Sequence, residues 1–299
     1  MTPSLIVHGG AGLLADAADG EAHADGCAAA ARAGFEILRG GGSALEAAIA
    51  AVVCLEDDPL FNAGFGSALT LDGEVECDAS VMCGDGRAGA VGCVREVKNP
   101  IGAARLVMER TSHVLLVGAG ADALAREGGA PGVPAGALVT ERARERWRAA
   151  LARRAAAPGG GTVGCVARDG TGRLAAATST GGVLLKRRGR VGDSAVIGAG
   201  TYADDGAGAV SCTGLGEAFI KAAAAKQVVE AMRAGRPGQA AARAALDQVR
   251  RYGGDGGLIW VDREGRVGAA FDTPHMSHAW VDATGQVRRN YNRSQVELS

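Results

Sequence analysis

Thr162 and Thr180 are the residues of this chain whose type and spacing could support nucleophilic chemistry. Two strand-like segments flank turn residues at 169–172, which predicts a β-hairpin. If the hairpin is centred on Thr171, Thr162 lies opposite Thr180. The two segments are 162–167 and 174–180. Taken alone, Thr162 is also compatible with an ordinary β-branched strand residue, but a hydroxyl beside a second hydroxyl could become an N-terminal nucleophile.

A threonine hydroxyl needs a base, and the sequence places no His-Asp arrangement near Thr162. Cleavage of the Gly161–Thr162 bond would create one, since a free α-amino group has an ordinary pKa of about 7.7–8.0 and is partly neutral at physiological pH. The Pro-Gly-Gly-Gly segment 158–161 offers the flexible backbone that cleavage requires. The uncleaved chain is therefore expected to be inactive towards external substrates.

A second segment, Val210–Glu217, supplies groups that could stabilise an anion. It is predicted to be a strand that delivers small residues to the start of a helix. Backbone N–H groups at a helix start have no partner within the helix and point outward. This segment could therefore provide the electrostatic part of a catalytic site.

The composition excludes several classes of function. The 299 residues include 32 basic and 33 acidic side chains, so no net positive charge favours nucleic acid or an anionic membrane. The longest apolar stretch, Ala47–Leu55, is too short to span a bilayer, and the first residues lack the features of a signal peptide. The sequence predicts a cytoplasmic protein whose seven scattered cysteines are reduced, and a zinc site is not expected.

The predicted helices and strands occur in groups. Helices are expected at about 21–39, 44–57, 100–109, from 140, after Gly216 and at 237–251. Short strands alternate with turns over 69–97, a buried strand is expected at 114–117, and hairpins are expected at 258–271 and 279–289. This grouping favours an α+β fold with two antiparallel sheets covered by helices over a doubly wound sheet.

Along nearly its full length the chain resembles the plant-type L-asparaginase/isoaspartyl peptidase family of N-terminal nucleophile hydrolases. Nine short motifs carry the resemblance, and they occur in the order that the family has. They are Val7–Gly12, Leu60–Gly64, Asp78–Met82, Asn99–Pro100, Gly161–Gly164, Ala177–Gly182, Gly189–Ser194, Gly198–Gly200 and Cys212–Glu217.

The resemblance implies a single domain over 1–299 with a four-layer αββα sandwich. It also implies autocleavage between Gly161 and Thr162 into an α chain 1–161 and a β chain 162–299, and a homodimer of such αβ units. In the family pattern Thr162 is the nucleophile and Thr180 is the threonine that hydrogen-bonds near it. The hairpin alignment brings the same two residues together.

The remaining site residues follow from the same resemblance. Thr213 and Gly214 correspond to the oxyanion hole, which requires donors aimed at the tetrahedral oxygen. Arg190 corresponds to the residue that holds the substrate α-carboxylate. Asp193 corresponds to the acceptor for the substrate α-ammonium, with help from Gly216. From the residues alone, Arg190 and Asp193 could equally be a solvated pair in a basic loop.

The resemblance further places Asn62 in the wall of the active site. It implies no cofactor for catalysis, but a structural Na⁺ bound by backbone carbonyls of the loop after the second helix. The carbonyls are those of Leu55, Glu56, Asp58, Phe61, Ala63 and Phe65.

By this resemblance the chain would hydrolyse the side-chain amide of L-asparagine, or β-aspartyl dipeptides, through an acyl-Thr162 intermediate. Three features depart from the family pattern. The linker before Thr162 is short, Asp272 stands where the family usually has Asn, and His278 replaces a common Arg. The last two departures predict a different outer wall of the pocket.

Two related hydrolases and one unrelated class are alternatives. Glycosylasparaginases usually have Asp before the nucleophilic Thr, where this chain has Gly161, and taspase-type proteases would need a long peptide-binding insertion. The segment Val114–Ala123 also has the strand, G-x-G-x-x-A and helix order of a nucleotide-binding module, with Glu141 downstream. It lacks a surrounding βαβ series.

Overall fold

The computed structural model describes residues 2–134, 136–153, 161–282 and 284–292. These residues form an α+β fold, as predicted. The strands are β1 (Ser4–Gly12), β2 (Cys77–Cys83), β3 (Ala88–Val94), β4 (Leu115–Val117), β5 (Val163–Arg168), β6 (Leu174–Thr180), β7 (Thr201–Asp204), β8 (Gly208–Gly214), β9 (Gly256–Asp262), β10 (Val267–Phe271), β11 (His275–Val281) and β12 (Val287–Asn292). The helices are α1 (Ala17–Arg39), α2 (Ala44–Glu56), α3 (Pro100–Arg110), α4 (Gly118–Glu127), α5 (Glu141–Arg153), α6 (Gly216–Ala222), α7 (Ala224–Arg233) and α8 (Gly238–Arg251).

Local signals explain several helix boundaries. The predicted capping box begins α2, because Ser43 Oγ accepts from the Glu46 N–H and the Glu46 carboxylate accepts from the Ser43 N–H. The helix predicted after Gly216 is divided at Ala223, whose φ of 48° is left-handed. This division separates α6, which begins beside the site described below, from α7.

The strands form two sheets. The larger sheet has the order β12-β11-β1-β5-β6-β2-β3-β4, and the smaller has the order β10-β9-β8-β7. All pairs are antiparallel except β3 with β4. The hairpin predicted at the centre of the chain is β5–β6, and its register confirms the predicted centre, since Val163 pairs with Ser179 and Gly164 with Thr178.

Three large apolar clusters hold most of these elements together. One joins α1, α2 and α3 to the larger sheet and includes Leu5, Leu55 and Ile101. A second lies between the two sheets and includes Ile6 and Phe271, and a third packs α7 and α8 against the smaller sheet. Burial of these apolar surfaces is the main favourable contribution to folding. The central strands β1, β5 and β6 are therefore covered on both faces.

The strand at 114–117 forms as β4, but the prediction that it is buried is wrong. Leu115 is 43% and Val117 54% exposed, because β4 lies at the edge of the larger sheet. The glycine-rich segment that follows it begins α4 at this edge. The glycines therefore lie at the periphery of the sheet.

The seven cysteines lie on elements that pack in the interior of the fold. Cys54 is half-buried, and the other cysteines are buried and free of disulfides. No helix in the part of the chain that the structure describes has the length and apolar character of a membrane span. The glycine-rich linker was expected at 158–161, of which 158–160 lie outside the described residues.

Two histidines face each other in the interior of the larger sheet. His8 on β1 pairs with His278 on β11, and both side chains are fully buried. His8 Nε2 lies 2.9 Å from Ser211 Oγ, while His278 Nδ1 lies 2.8 Å from the Met276 carbonyl oxygen. Burial lowers the pKa of His8 to about 3 and that of His278 to about 4. Both rings are therefore neutral at pH 7.

This pair predicts a loss of stability in mild acid. In the unfolded chain a histidine has a pKa of about 6.5, so between that value and pH 3–4 the unfolded state binds more protons than the folded state. The free energy of unfolding should fall by about 2 kcal/mol for each histidine, and so by about 4 kcal/mol for the pair, from pH 7 to pH 5. Urea unfolding at both pH values should show a smaller fall in His278→Gln than in the parent protein. The exposed His113→Gln should match the parent, and an unchanged fall in His278→Gln would contradict the assignment.

Candidate active site

Thr162 and Thr180 meet at the start of β5 and the end of β6. Thr162 Oγ1 donates a hydrogen bond of 3.2 Å to Thr180 Oγ1, and both residues are buried. The β5–β6 register produces this contact, since it continues the pairing of Val163 with Ser179 by one residue. The structure thus confirms the proximity that the hairpin alignment predicted.

Thr180 is fixed as an acceptor from two sides. The Gly182 N–H donates to Thr180 Oγ1 at 2.9 Å, and β6 pairs with β2 so that Thr180 lies opposite Asp78. Because Thr180 Oγ1 accepts from both the Gly182 N–H and the Thr162 hydroxyl, the Thr162 proton is directed towards Thr180. The lone pairs of Thr162 Oγ1 are not used in this hydrogen bond.

Gly161, which precedes the candidate nucleophile, lies against the glycines of β1. A Cβ atom at Gly10 would lie 2.3 Å from Gly161 Cα, and Gly10 has a left-handed φ of 110°. A side chain at Gly10 would therefore collide with the backbone at the Gly161–Thr162 bond.

A small pocket opens on the Thr162 side of this bond. Its volume in the continuous chain is about 10 Å³, which is room for about one water molecule. It is lined by Thr162, Thr180, Gly182, Val183, Arg190, Asp193 and Gly214. Five of these seven residues were predicted from the sequence as site residues: Thr162, Thr180, Arg190, Asp193 and Gly214.

Arg190 makes a bidentate ion pair with Glu217, a residue to which the sequence assigned no role. Arg190 Nε and Nη2 each donate to a Glu217 carboxylate oxygen at 2.9 Å. Burial alone would lower the pKa of Arg190, but the hydrogen bonds and the charge of Glu217 raise it. The alternative of a solvated Arg190–Asp193 pair is wrong, because Arg190 is mostly buried and its ion-pair partner is Glu217. Among the residues that the structure describes, Nη1 and one N–H of Nη2 remain for another acceptor.

Asp193 is a buried carboxylate with unused hydrogen-bonding capacity. It is 3% exposed, and its Oδ2 has no hydrogen-bond partner among the described residues. Burial raises the pKa of Asp193 to about 7, while the charge of Arg190 opposes the increase. An unpaired buried acceptor of this kind would be satisfied by a cationic donor such as an ammonium group.

Gly216, the first residue of α6, allows Arg190 and Asp193 to approach the helix. A Cβ atom at this position would lie 2.8 Å from Arg190 Nη2 and 2.8 Å from Asp193 Oδ1. A Cβ atom at Gly192 would likewise lie 2.7 Å from Arg190 Nη1. The Gly192 N–H donates a hydrogen bond of 2.9 Å to the buried carboxylate of Asp78. Backbone atoms therefore form much of the wall around the charged groups.

Thr213 and Gly214 end β8 beside this pocket. Gly214 lines the pocket, while the buried Thr213 Oγ1 accepts a hydrogen bond of 3.1 Å from the Ala11 N–H on β1. Because the Thr213 hydroxyl accepts here, its own proton is available for donation. The structure brings Gly214 to Thr162 but attaches the Thr213 side chain to the opposite sheet.

Asn62 holds the segment that follows Thr180. Its Nδ2 donates to the Gly182 carbonyl at 2.7 Å, its Oδ1 accepts from the Ala68 N–H at 2.6 Å, and its carbonyl accepts from the Gly181 N–H. Asn62 also lines a larger cavity on the Gly161 side of the bond. It therefore supports the wall between the two pockets.

The loop expected to bind Na⁺ folds back onto the end of α2. Added Cβ atoms at Gly64 and Gly66 would lie 2.4 Å from the Glu56 carbonyl oxygen and 1.7 Å from that of Phe61, so the chain is tightly turned here. Carbonyl oxygens suit a hard cation, and the turn draws backbone segments of the expected set together. Two of these carbonyls already accept backbone hydrogen bonds: that of Asp58 from the Phe61 N–H, and that of Ala63 from the Gly66 N–H. An oxygen has a second lone pair, so the donor set fits the ion.

The departures at Asp272 and His278 lie away from both pockets. His278 is buried within the larger sheet, and Asp272 lies 3.8 Å from Arg243 and 4.0 Å from Arg250 on α8. Neither lines the pocket at Thr162 or the cavity at Gly161. The structure gives no support for their predicted effect on the outer wall.

Comparison with protein families matches residues 1–289 to the asparaginase family. The chain belongs to this family. An isoaspartyl peptidase/L-asparaginase from Xenopus laevis is 46% identical over 287 residues, which cover 94% of this chain and 93% of that protein. The mouse protein of the same name is 45% identical over 284 residues, which cover 93% of this chain and 87% of that protein. A plant-type L-asparaginase from Pyrococcus horikoshii is also 45% identical, with coverage of 93% and 96%.

Sequence reasoning missed Glu217 as the partner of Arg190. A signal for it was present, because Glu217 ends the last family motif, Cys212–Glu217, two residues after Leu215 at the cap of α6. The pairing joins residues 27 positions apart through two loops, which no local periodicity encodes. The role of Gly182 as a donor to Thr180 was also not identified, although these two residues are only two positions apart.

The contacts of Gly216 predict that a methyl group there is not tolerated. Gly216→Ala should lower the free energy of unfolding by about 1–3 kcal/mol, because the new Cβ would displace Arg190 or Asp193. Gly102→Ala is the matched control, since Gly102 lies in α3 with open space at its Cβ. It should raise stability by up to about 1 kcal/mol. Urea unfolding of both variants measures this, and equal stability of Gly216→Ala and the parent would contradict the packing.

Proposed function

We propose that this protein is an N-terminal threonine amidohydrolase that cleaves the side-chain amide of L-asparagine and the isopeptide bond of β-aspartyl dipeptides. The observation that carries the proposal is the hydrogen bond of 3.2 Å between the hydroxyls of Thr162 and Thr180, in a pocket shared with Arg190 and Asp193. Relatives named isoaspartyl peptidase/L-asparaginase, at about 45% identity over nearly the whole chain, support the substrate class.

Maturation begins with attack of Thr162 Oγ1 on the Gly161 carbonyl carbon. The Gly161–Thr162 C–N bond breaks, the nitrogen takes a proton, and an ester joins Gly161 to the Thr162 oxygen. Water then hydrolyses the ester and leaves a carboxylate on Gly161 and a free α-amino group on Thr162. The chains 1–161 and 162–299 result, and Thr162 has gained its base.

The mature site binds the amino-acid head group of the substrate by charge. The free N–H groups of Arg190 receive the α-carboxylate, and the orphaned Oδ2 of Asp193 receives the α-ammonium. Glu217 keeps the guanidinium in place by occupying the donors that face it. This arrangement leaves the side-chain amide of the substrate at Thr162.

Turnover uses the same threonine twice. The α-amino group takes the proton of Thr162 Oγ1 as the oxygen attacks the amide carbon, and the Gly214 N–H with the Thr213 hydroxyl stabilises the oxyanion. Ammonia, or the amine of a dipeptide, leaves with a proton as the C–N bond breaks. Water, activated by the α-amino group, then hydrolyses the acyl ester to L-aspartate.

Three further features belong to this proposal. The contacts of the two sheets with each other and with helices on their outer faces support the four-layer αββα arrangement. A structural Na⁺ held by the loop at residues 55–65 is consistent with its turned backbone. The homodimer of αβ units and the cytoplasmic location stay predictions.

Removal of the nucleophile tests the mechanism. Thr162→Ala should remain a single chain and should hydrolyse L-asparagine about 10³-fold more slowly or not at all, because both reactions require the hydroxyl. Thr162→Ser should keep both reactions at reduced rates. Intact-mass measurement and N-terminal sequencing after incubation at neutral pH detect cleavage, and ammonia release measures turnover. A cleaved or fully active Thr162→Ala protein would refute the mechanism.

The raised pKa of Asp193 predicts how KM depends on pH. Only the carboxylate form binds the α-ammonium, so below about pH 7 the KM for L-asparagine should rise, by about tenfold for each further unit of pH. Asp193→Asn should have a high KM that varies little over pH 5–7. Steady-state kinetics over this range provide the measurement, with the exposed Asp247→Asn as control. Parent-like pH dependence of KM in Asp193→Asn would show that another group is responsible.

A further inference from the structure

The two sheets face each other through apolar side chains over part of their contact and through polar side chains over the rest. Val166 on β5 belongs to the apolar part. Because side chains alternate along a strand, Gly164 and Thr162 follow on the same face of the larger sheet. Ser211 and Thr213 are alternate residues of β8 in the same way. The polar part of the contact therefore leads from the apolar core to the candidate nucleophile.

Gly164 leaves a gap in the larger sheet that Ser211 fills. Gly164 pairs with His8 on β1 and with Thr178 on β6, so it lies between two larger side chains. A Cβ atom at Gly164 would lie 2.0 Å from Ser211 Oγ. A side chain at Gly164 would therefore exclude the serine from this position. Ser211 reaches across from the smaller sheet and inserts between His8 and Thr178 because Gly164 has no side chain.

Ser211 is held in this gap by hydrogen bonds on both sides. Its Oγ lies 2.9 Å from His8 Nε2 and 2.8 Å from Thr178 Oγ1. Thr201 Oγ1 on β7 donates to Thr178 Oγ1 at 2.6 Å, and Ser80 Oγ on β2 lies 2.8 Å from Thr201 Oγ1. All five side chains are fully buried, and they come from both sheets. Since hydrogen bonds are directional, this network limits how the sheets can shift more narrowly than apolar contacts do.

The contact between Ser211 and Gly164 lies close to both groups that the proposed reaction must align. Thr162 is two residues before Gly164, and Thr213 is two residues after Ser211. Two residues of a strand span about 7 Å, so a displacement at Ser211 would be passed to Thr213 with little loss. Gly214, the next residue, lines the small pocket together with Thr162. The distance between the nucleophile and the oxyanion donors therefore depends on how Ser211 is held.

We propose that Ser211 is a positioning residue that holds the oxyanion donors of β8 at the distance from Thr162 that self-cleavage and turnover both require. This inference rests on the proposed function and gives a role to a buried hydroxyl that the mechanism does not use. Arg190 and Asp193 lie on a different loop, and among the described residues neither makes a hydrogen bond with Ser211. Loss of the Ser211 hydroxyl should therefore weaken stabilisation of the transition state and leave binding of the substrate head group unchanged.

The test removes the hydroxyl at either end of one hydrogen bond. Ser211→Ala should form the fragment 162–299 about tenfold more slowly, as followed by intact mass, and its kcat for L-asparagine per mature chain should fall about tenfold. Its KM should stay within about twofold of the parent value. Thr178→Val keeps the shape of the side chain without the hydroxyl and should reproduce both losses. Thr178→Ser keeps the hydroxyl and should retain most of the parent rates.

Ser277→Ala is the matched control, since Ser277 on β11 is equally buried but its Oγ has no hydrogen-bond partner among the described residues. It should match the parent in both rates. Parent-like rates in Ser211→Ala, or equal losses in Thr178→Ser and Thr178→Val, would overturn the positioning role.

A rise in KM as large as the fall in kcat would indicate a general disturbance of the pocket and would overturn the positioning role as well. Circular dichroism establishes that each variant is folded. If Ser211→Ala does not fold, the two Thr178 variants decide by the same criteria. Failure of the parent to cleave itself and to hydrolyse L-asparagine would instead contradict the proposed function.

Discussion

The pairing register of β5 with β6 is the constraint on which the site depends. A strand shifted by one residue turns every side chain to the opposite face of the sheet. In the observed register Val163 lies opposite Ser179, so the next pair outward is Thr162 with Thr180. Burial of β5 and β6 on both faces makes other registers costly, because each would place polar side chains in the apolar clusters. The position of Thr162 is therefore fixed by the core and not by its own loop.

The charged residues near Thr162 are held in a low-dielectric environment by backbone groups. Asp78 accepts from the N–H groups of Cys93 and Gly192, which anchors the loop that carries Arg190 and Asp193. Glu217 then fixes Arg190 from the start of α6. Asp193 is the exception, since one of its oxygens is buried without a partner among the described residues. An unsatisfied carboxylate costs stability, and such a cost is expected where a ligand will provide the missing donor.

The local parts of the fold could be predicted from the sequence, and the long-range parts could not. The capping box of α2 and the β5–β6 hairpin each depend on residues a few positions apart, and both predictions are confirmed. The exposed position of β4 depends on its place at the edge of the sheet, which its own apolar residues do not encode. The left-handed Ala223 was missed because alanine favours a continuous helix.

The same limit applies within the site. Family motifs located Arg190 and Asp193, but motifs are short and do not state which residues pair with each other. The partner of Arg190 is Glu217, 27 residues later, and the donor to Thr180 is Gly182. The first contact arises because the loop that carries Arg190 meets the start of α6, whereas the second is a local turn at the end of β6. The meeting of that loop with α6 is a property of the packed sheets, so it becomes visible only in three dimensions.

The Gly161–Thr162 bond lies between the small pocket at Thr162 and the larger cavity at Gly161. In the continuous chain the pocket at Thr162 has room for about one water molecule, which is too little for an amino-acid substrate. Gly161 lies against Gly10 and separates this pocket from the larger cavity. Under the proposed function, hydrolysis of the bond would convert the amide nitrogen of Thr162 into a base and would free the carbonyl of Gly161 to move away. The step that activates the nucleophile would thus also open the space in which its substrate binds, and an uncleaved chain would lack both.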